Sequence, residues 1–211
     1  MSVRSLDRRI LLPLALSTAG LVLGWNRTGI ASDVTGPIEQ LHAGLIAIMR
    51  AGKTAPFRQR YEMIGPIVVQ TFDLNKMLRE AIGPRWTSLP SDQQTALADA
   101  FRRFTVASYV ANFHGYSGER FEIEPVVKVA GGDRVVETRI ASASGKARAL
   151  DYLMRQEGGG WKVVDVLAEG SISQVAAERS NMRSVLADSG GPGLLASLRQ
   201  KTAELSGGIL Q

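Results

Sequence analysis

Two histidines, His42 and His114, are the most versatile catalytic side chains in the sequence, and neither has a visible partner. His42 lies in a predicted helix, where we expect it to face solvent. We expect no catalytic role for it, because an isolated histidine forms no base–nucleophile pair. His114 follows a long predicted helix, where an imidazolium suits the negative end of the helix dipole. Cysteine is absent. Its absence excludes a thiolate zinc site, a cysteine nucleophile and disulfide bonds.

Two aspartates occur in predicted strands. Asp151 alternates with apolar neighbours, so we expect it to be exposed. Asp165 shares a face with Trp161 and Val163 and is expected to be partly buried, with hydrogen-bond partners supplied by the turn after the sheet. Asp165 and His114 are the only acid–base pair that the sequence offers an enzyme. We therefore predict no catalytic residues, no metal and no cofactor.

The apolar and aromatic side chains are more informative than the polar ones. Many of them fall on the side of the predicted helices and strands that faces the other layer. Such a set either fills a core or lines an apolar cavity between the layers, and periodicity alone does not distinguish the two. If a cavity is present, the candidate lining residues are Trp86, Phe101, Phe104, Tyr109, Phe113, Val136, Ile140, Leu150, Tyr152, Met154 and Trp161.

Apolar residues at three- and four-residue steps predict helices in both halves of the chain. Glycine and proline pairs separate these helices, and a capping sequence at residues 91–94 starts the longest one. The predicted helices span residues 32–53, 57–63, 66–82, 91–115, 171–189 and 194–205.

The periodicity changes from helical to alternating between the two groups of helices. Short alternating runs joined by glycine turns are typical of an antiparallel meander. Four strands are predicted, and Pro125 interrupts the first: Phe121–Val129, Arg134–Ala143, Ala149–Gln156 and Trp161–Leu167. The fold class is therefore α+β, with a helical layer packed on one face of a four-stranded antiparallel sheet and an apolar pocket between the layers.

Residues 1–31 have the layout of an export signal. Three arginines precede an apolar run, Ile10–Leu23, that is shorter than the roughly 20 residues of a spanning helix. Small residues at Gly29 and Ala31 suit a signal peptidase. Export through the general or the twin-arginine route stays open, since the adjacent Arg8-Arg9 pair occurs in both kinds of signal.

The expected mature protein is one domain, residues 32–211, in the periplasm. The first 31 residues carry four arginines and one aspartate, so the mature domain keeps a charge of +2 from the chain's net +5. A nearly neutral domain is not typical of a nucleic-acid-binding protein, despite the pI of 9.8 for the whole chain. No nucleic-acid partner is expected.

Three blocks in register resemble the MlaC/toluene-tolerance family of periplasmic lipid-binding proteins. The first block is Phe57-Arg58-Gln59-Arg60-Tyr61 with Ile64, Pro66 and Phe72-Asp73. The second holds Trp86, Leu89, Gln94, Phe101, Phe104 and Tyr109, and runs from Phe113 to Phe121. The third runs from Trp161 to Ser173. The family pattern then tends to place an aromatic residue before an arginine, where this sequence has Ala177-Glu178-Arg179-Ser180. Together with the first block, this departure most resembles the hopanoid-biosynthesis-associated branch of the family.

The resemblance implies a soluble lipid shuttle without catalytic residues. Its ligand would be a phospholipid or a hopanoid held in a deep apolar pocket. Its partners would be an inner-membrane ABC transporter with an MCE-domain subunit and an outer-membrane lipoprotein complex. Basic residues are expected to steer docking to anionic surfaces. They include Arg102, Arg103, Lys128 and Arg134.

Two other functions remain open on the sequence alone. A small α+β enzyme of the isomerase or dehydratase type would need Asp165 and His114 together inside the pocket. An adaptor that only bridges envelope proteins would have a filled interior. Coordinates that show whether the interior is filled or hollow discriminate these alternatives from a carrier.

Overall fold

The structure, a computed structural model, describes residues 28–210. The predicted export signal lies, up to residue 27, outside the described residues. Five α-helices and seven strands make up the described part, and short 3-10 turns at Gly52–Thr54 and Gly83–Ser88 connect some of the helices. The helices are α1 (Thr28–Ala51), α2 (Phe57–Thr71), α3 (Leu74–Ile82), α4 (Ser91–Asn112) and α5 (Gln174–Ser206). Across residues 28–210, no helix is both long and apolar enough to cross a membrane.

Helix α2 continues through Pro66 instead of ending before it. Proline removes one backbone donor from a helix, but Pro66 and Glu62, whose carbonyl would receive that donor, are both solvent-exposed. Water can satisfy the free carbonyl there. The break comes later, at Phe72, whose backbone is extended. Asp73 then starts α3 by accepting a hydrogen bond from the Lys76 amide at 2.9 Å.

The sheet has seven strands, so the prediction of four was wrong. The first two predicted strands are each divided in two, and a short seventh strand precedes α5 where a helix was expected. The strands are β1 (Arg120–Ile123), β2 (Lys128–Ala130), β3 (Asp133–Val136), β4 (Thr138–Ala141), β5 (Ala147–Glu157), β6 (Gly160–Ala168) and β7 (Ile172–Ser173).

The divided strands share one long neighbour. β3 and β4 both pair antiparallel with β5, on the side opposite β6. β1 pairs with β4, and β2 pairs with β3. The predicted antiparallel arrangement is confirmed, but the ladder is interrupted at Pro125 and Glu137, where the chain skips pairing residues. One hydrogen bond, from the Glu124 amide to the Glu137 carbonyl at 2.9 Å, spans the interruption.

Asp151 fills the interruption in the ladder. Its carboxylate accepts the Thr138 amide at 3.0 Å, beside the start of β4. The residue is 6% exposed, so the expectation that it faces solvent was wrong. Alternation along one strand does not reveal an interruption in the neighbouring strand. Here the interruption leaves the Thr138 amide in need of an acceptor, which the Asp151 carboxylate supplies. Burial raises the pKa of Asp151, and the Thr138 hydrogen bond partly offsets that rise.

Helix α5 bends sharply at the predicted glycine cluster. Gly190 has φ 65° and ψ −168°, a conformation that side chains disfavour. Next to it, a Cβ on Gly191 would lie 2.1 Å from the Gln93 Oε1 atom of α4. The bend and the missing side chain together let the second half of α5 pack closely on α4.

Asp165 fixes the start of α5, as its predicted structural role required. Its carboxylate accepts hydrogen bonds from the Val166 amide at 2.8 Å, the Val175 amide at 3.1 Å and the Ser173 hydroxyl. Ser173 is itself the residue that caps α5. One carboxylate therefore ties β6 to the first turn of the helix.

We predict that Asp165→Asn lowers the free energy of unfolding by about 2 kcal/mol, because an amide cannot accept all three hydrogen bonds. Urea unfolding of the purified chain measures the change. Asp188→Asn is the matched control, since Asp188 is exposed on α5 and receives only a 3.5 Å contact from Ser184. Equal losses in the two variants would contradict the role assigned to Asp165.

Candidate functional site: an apolar cavity open at one end

A cavity of about 970 Å³ lies between the helices and the sheet. This volume is at the upper end of the roughly 300–1,000 Å³ that small-molecule pockets occupy. The lining residues of the cavity come from helices, chiefly α4, on one side and from β4, β5 and β6 on the other. The apolar part of its wall consists of Met49, Phe72, Met77, Ala81, Phe101, Phe104, Tyr109, Phe113, Ile140, Leu150, Val166, Ala168 and Val175.

Helix α4 supplies the longest part of the wall. Its lining residues recur at three- and four-residue steps, which places them on one face of the helix. They are Phe101, Phe104, Thr105, Ser108, Tyr109, Asn112 and Phe113, at its C-terminal end. The remaining faces of α4 hold Leu97, Val106 and Val110, which are fully buried. By contrast, Phe104, Tyr109 and Phe113 are only half-buried, because they border open space.

Polar and charged side chains surround the mouth of the cavity. They come from the segment after α4, the β4–β5 turn and the start of β5, the end of β6 and the start of α5, and most are exposed. This group consists of His114, Ser117, Glu119, Ser142, Lys146, Arg148, Glu169 and Gln174. The site thus has an apolar interior and a solvated polar entrance, which is the division that an amphiphile requires.

Six of the eleven candidate lining residues face this cavity: Phe101, Phe104, Tyr109, Phe113, Ile140 and Leu150. The structure places the other five elsewhere in the fold: Trp86, Val136, Tyr152, Met154 and Trp161. Val136, Tyr152 and Met154 have no solvent exposure and lie in the core. The cavity therefore borders only the part of β5 that carries Leu150, and the rest of that strand face is covered by packed side chains.

The two tryptophans among the candidate lining residues are outside the cavity for local reasons. Trp86 is in the 3-10 turn after α3, where its carbonyl accepts the Gln94 side-chain amide at 3.1 Å. Trp161 is the second residue of β6, beside the β5–β6 turn, and the Arg134 guanidinium lies 5.7 Å from its ring centroid. Both rings cover an edge of the core.

Sequence reasoning missed the small and polar lining residues. Thr105 and Ser108 lie on the cavity face of α4, and each hydroxyl donates to a carbonyl of its own helix, Phe101 at 2.9 Å and Phe104 at 2.8 Å. Their helical spacing from Phe101 was the available signal. The candidate lining residues were chosen among aromatic and large apolar side chains. That choice left out small side chains such as Ser108, which leave room for a ligand.

A row of rings connects the cavity wall to helix α1. Phe72 and Tyr109 have centroids 5.6 Å apart, and Tyr109 stacks on Phe113 at 5.9 Å. Phe113 contacts Phe121 at 6.1 Å, and Phe121 stacks on His42 at 4.3 Å. Phe72, Tyr109 and Phe113 line the cavity, whereas Phe121 and His42 are not part of its wall.

His42 is buried, so the expectation that it faces solvent was wrong. It is 6% exposed, and its Nε2 lies 3.3 Å from the Tyr152 hydroxyl. Burial lowers the pKa of His42 to about 4, so the ring is neutral at neutral pH. Burial also raises the pKa of Tyr152, so the phenol keeps its proton. The pair is a neutral hydrogen bond inside the core and has no nucleophile beside it.

The structure does not combine Asp165 and His114 into an acid–base pair. Asp165 holds the start of α5 and is absent from the cavity wall. His114 is exposed at the mouth, where its Nδ1 lies 2.8 Å from the Ala111 carbonyl in the last turn of α4. This contact matches the predicted role at a helix C-terminus. Within residues 28–210, no three histidine, aspartate or glutamate residues lie together as a metal site requires.

Comparison with known proteins agrees with the architecture. The MlaC protein family matches residues 39–200. A phospholipid-binding protein from Ralstonia solanacearum, solved in complex with a phospholipid, has the same fold with a TM-score of 0.72 and 19% identity. The match covers 82% of this chain and 99% of that one. No curated protein matches the chain. Because the family match spans most of the sequence, from α1 to the last turns of α5, the chain belongs to the MlaC family.

Proposed function

We propose that this protein is a periplasmic carrier that buries the acyl chains of a phospholipid in its cavity. The observation that supports the proposal is the 970 Å³ space with apolar walls and a polar entrance. Family membership and the phospholipid in the R. solanacearum relative support the same function. The six predicted residues on the wall would contact the tails, and the other five would support the wall from the core.

The energetic need for such a carrier is large. Each methylene buried is worth about 0.8 kcal/mol, so two chains of roughly 15 methylenes each would cost on the order of 24 kcal/mol to expose to water. A lipid therefore does not cross an aqueous space unaided. A protein that covers the tails and leaves the headgroup hydrated removes most of this cost.

The entrance provides charge for a phosphate diester. Lys146 and Arg148 both border the cavity near the β4–β5 turn. Neither forms an ion pair with a carboxylate in the part of the chain that the structure describes. These two cations could bind the phosphate of a lipid whose headgroup lies at the entrance. Hydrogen bonds between ionised groups are stronger than those between neutral groups.

The cellular context follows from the sequence and the family. We propose that residues 1–31 direct export and are removed, and that residues 32–211 form a single lipid-binding domain. The carrier would exchange lipid with an inner-membrane ABC transporter through its MCE-domain subunit, and with an outer-membrane lipoprotein complex. Release of the lipid to either partner requires that the partner bury the acyl chains about as well as the carrier's cavity does.

The basic residues expected to steer docking are mostly paired. Arg102 and Arg103 both contact Asp99, and Lys128 contacts Glu137 at 2.7 Å. Arg134 lies over the Trp161 ring. Because these charges are locally compensated, we assign electrostatic steering to the unpaired cations at the cavity entrance.

Lipid identification tests the proposal directly. The protein is produced with its export signal, purified from the periplasm without detergent, and extracted for lipid mass spectrometry. We expect close to one phospholipid per chain. A polycyclic lipid in its place would support the hopanoid branch. A lipid-free protein that also takes up no lipid from vesicles would overturn the carrier function.

A further inference from the structure

One carboxylate on the cavity wall has an unsatisfied oxygen. Glu178 of α5 lines the cavity, and its Oε2 is buried with no hydrogen-bond partner among the described residues. A buried carboxylate oxygen without a donor is costly, and such groups in native proteins call for a cause. The other charged residues of the entrance are solvated or hydrogen-bonded, so Glu178 is unusual there.

Glu178 lies where the entrance meets the apolar interior. Glu178 follows Gln174 by four residues of α5, or about 6 Å along the helix axis. Gln174 is exposed and Glu178 is half-buried, and both border the cavity. Between them in sequence, Val175 is buried and belongs to the apolar wall. A headgroup at the entrance would therefore be adjacent to the Glu178 carboxylate.

The carboxylate can turn toward a ligand at little cost. The terminal torsion of a glutamate is broad and is not confined to staggered positions. A rotation about that bond exchanges the positions of the two carboxylate oxygens. A donor carried by the ligand would then satisfy the oxygen that the protein leaves without a partner.

The chemistry favours an ammonium as that donor. A carboxylate accepts hydrogen bonds and donates none when ionised, so it favours N–H or O–H groups over quaternary nitrogen. A charged donor makes a hydrogen bond roughly twice as strong as a neutral one. Neither Arg179 nor Arg183, the cations next along α5, forms an ion pair with Glu178. Arg183 is instead packed against Gly83 of the 3-10 turn.

We propose that Glu178 reads the headgroup and selects phospholipids whose head carries an N–H ammonium, as in phosphatidylethanolamine. The inference rests on the proposed lipid-carrier function and adds a ligand preference to it. The phosphate would lie near Lys146 and Arg148, and the ammonium near Glu178. The cavity would thus recognise both charges of a zwitterionic head.

A competition experiment tests this selectivity. The full chain, delipidated, is incubated with vesicles of equimolar phosphatidylethanolamine and phosphatidylcholine with identical palmitoyl and oleoyl chains, and the bound lipids are quantified by mass spectrometry. We expect about a tenfold preference for the ethanolamine lipid, the ratio that a 1.4 kcal/mol difference gives. In Glu178→Gln the preference should fall to about twofold or less, because the amide is uncharged.

Glu204→Gln is the matched control, since Glu204 lies on the same helix as Glu178 but is exposed and is not part of the cavity wall. It should keep the wild-type preference. Equal loading of the two lipids by the wild type, or an unchanged preference in Glu178→Gln, would overturn the proposal. In a parallel competition that also contains phosphatidylglycerol, a preference for that lipid over the other two would contradict the proposal as well, because the donor would then be a hydroxyl. Failure of the wild type to load any lipid would instead refute the carrier function.

Discussion

Ser108→Trp is expected to reduce lipid loading by at least about tenfold while the protein remains folded. Ser108 lies in the middle of the α4 wall, and its hydroxyl bonds only to the Phe104 carbonyl of its own helix. An indole there would project into the cavity and occupy space that acyl chains need. Exclusion of even two methylenes, at about 0.8 kcal/mol each, accounts for a tenfold loss.

The measurement is the amount of phospholipid that each purified variant takes up from vesicles, with circular dichroism as a check on folding. Ser180→Trp is the matched control, because Ser180 is exposed on α5 and is not part of the cavity wall. It should load lipid as the wild type does. A folded Ser108→Trp protein with normal loading would show that the acyl chains bind somewhere else.

Much of the fold was predictable because the hydrophobic periodicity is strong. The helical steps on α4 and the alternation along β5 and β6 gave elements close to those observed. The divided strands were less predictable. Pro125 signalled one interruption, but the break at Glu137 depends on how two neighbouring strands align, and on the Asp151 carboxylate that fills the gap. Such a break is a tertiary feature that no local pattern contains.

The cavity itself was only partly predictable. Periodicity placed Phe101, Leu150 and Tyr152 on the inner faces, and all three lie inside the protein. Whether an inner face borders a side chain or open space depends on the distance between layers. That distance places Tyr152 in the core and Leu150 on the cavity wall. The carboxylate of Glu178 indicates the cavity more directly, because a buried oxygen without a hydrogen-bond donor does not suit a filled apolar core.

Acid is expected to destabilise the protein through His42 by about 3 kcal/mol between pH 6.5 and pH 4. Burial lowers the pKa of His42 from 6.5 to about 4 in the folded chain. Between these values the unfolded chain binds a proton that the folded chain does not, so falling pH favours unfolding. The stabilisation is complete above pH 6.5 and is lost as pH falls toward 4. At 1.36 kcal/mol for each pKa unit, the total is about 3 kcal/mol.

The double variant His42→Leu with Tyr152→Phe isolates this contribution. It removes the titrating ring and also the hydroxyl that would otherwise lose its only observed partner. Free energies of unfolding, measured in urea at several pH values, should fall less steeply below pH 6.5 in the double variant than in the wild type. His114→Gln should keep the wild-type slope, because His114 is exposed. If the double variant loses stability with acid as steeply as the wild type, another group causes the loss, and the neutral His42–Tyr152 pair is not what acid disrupts.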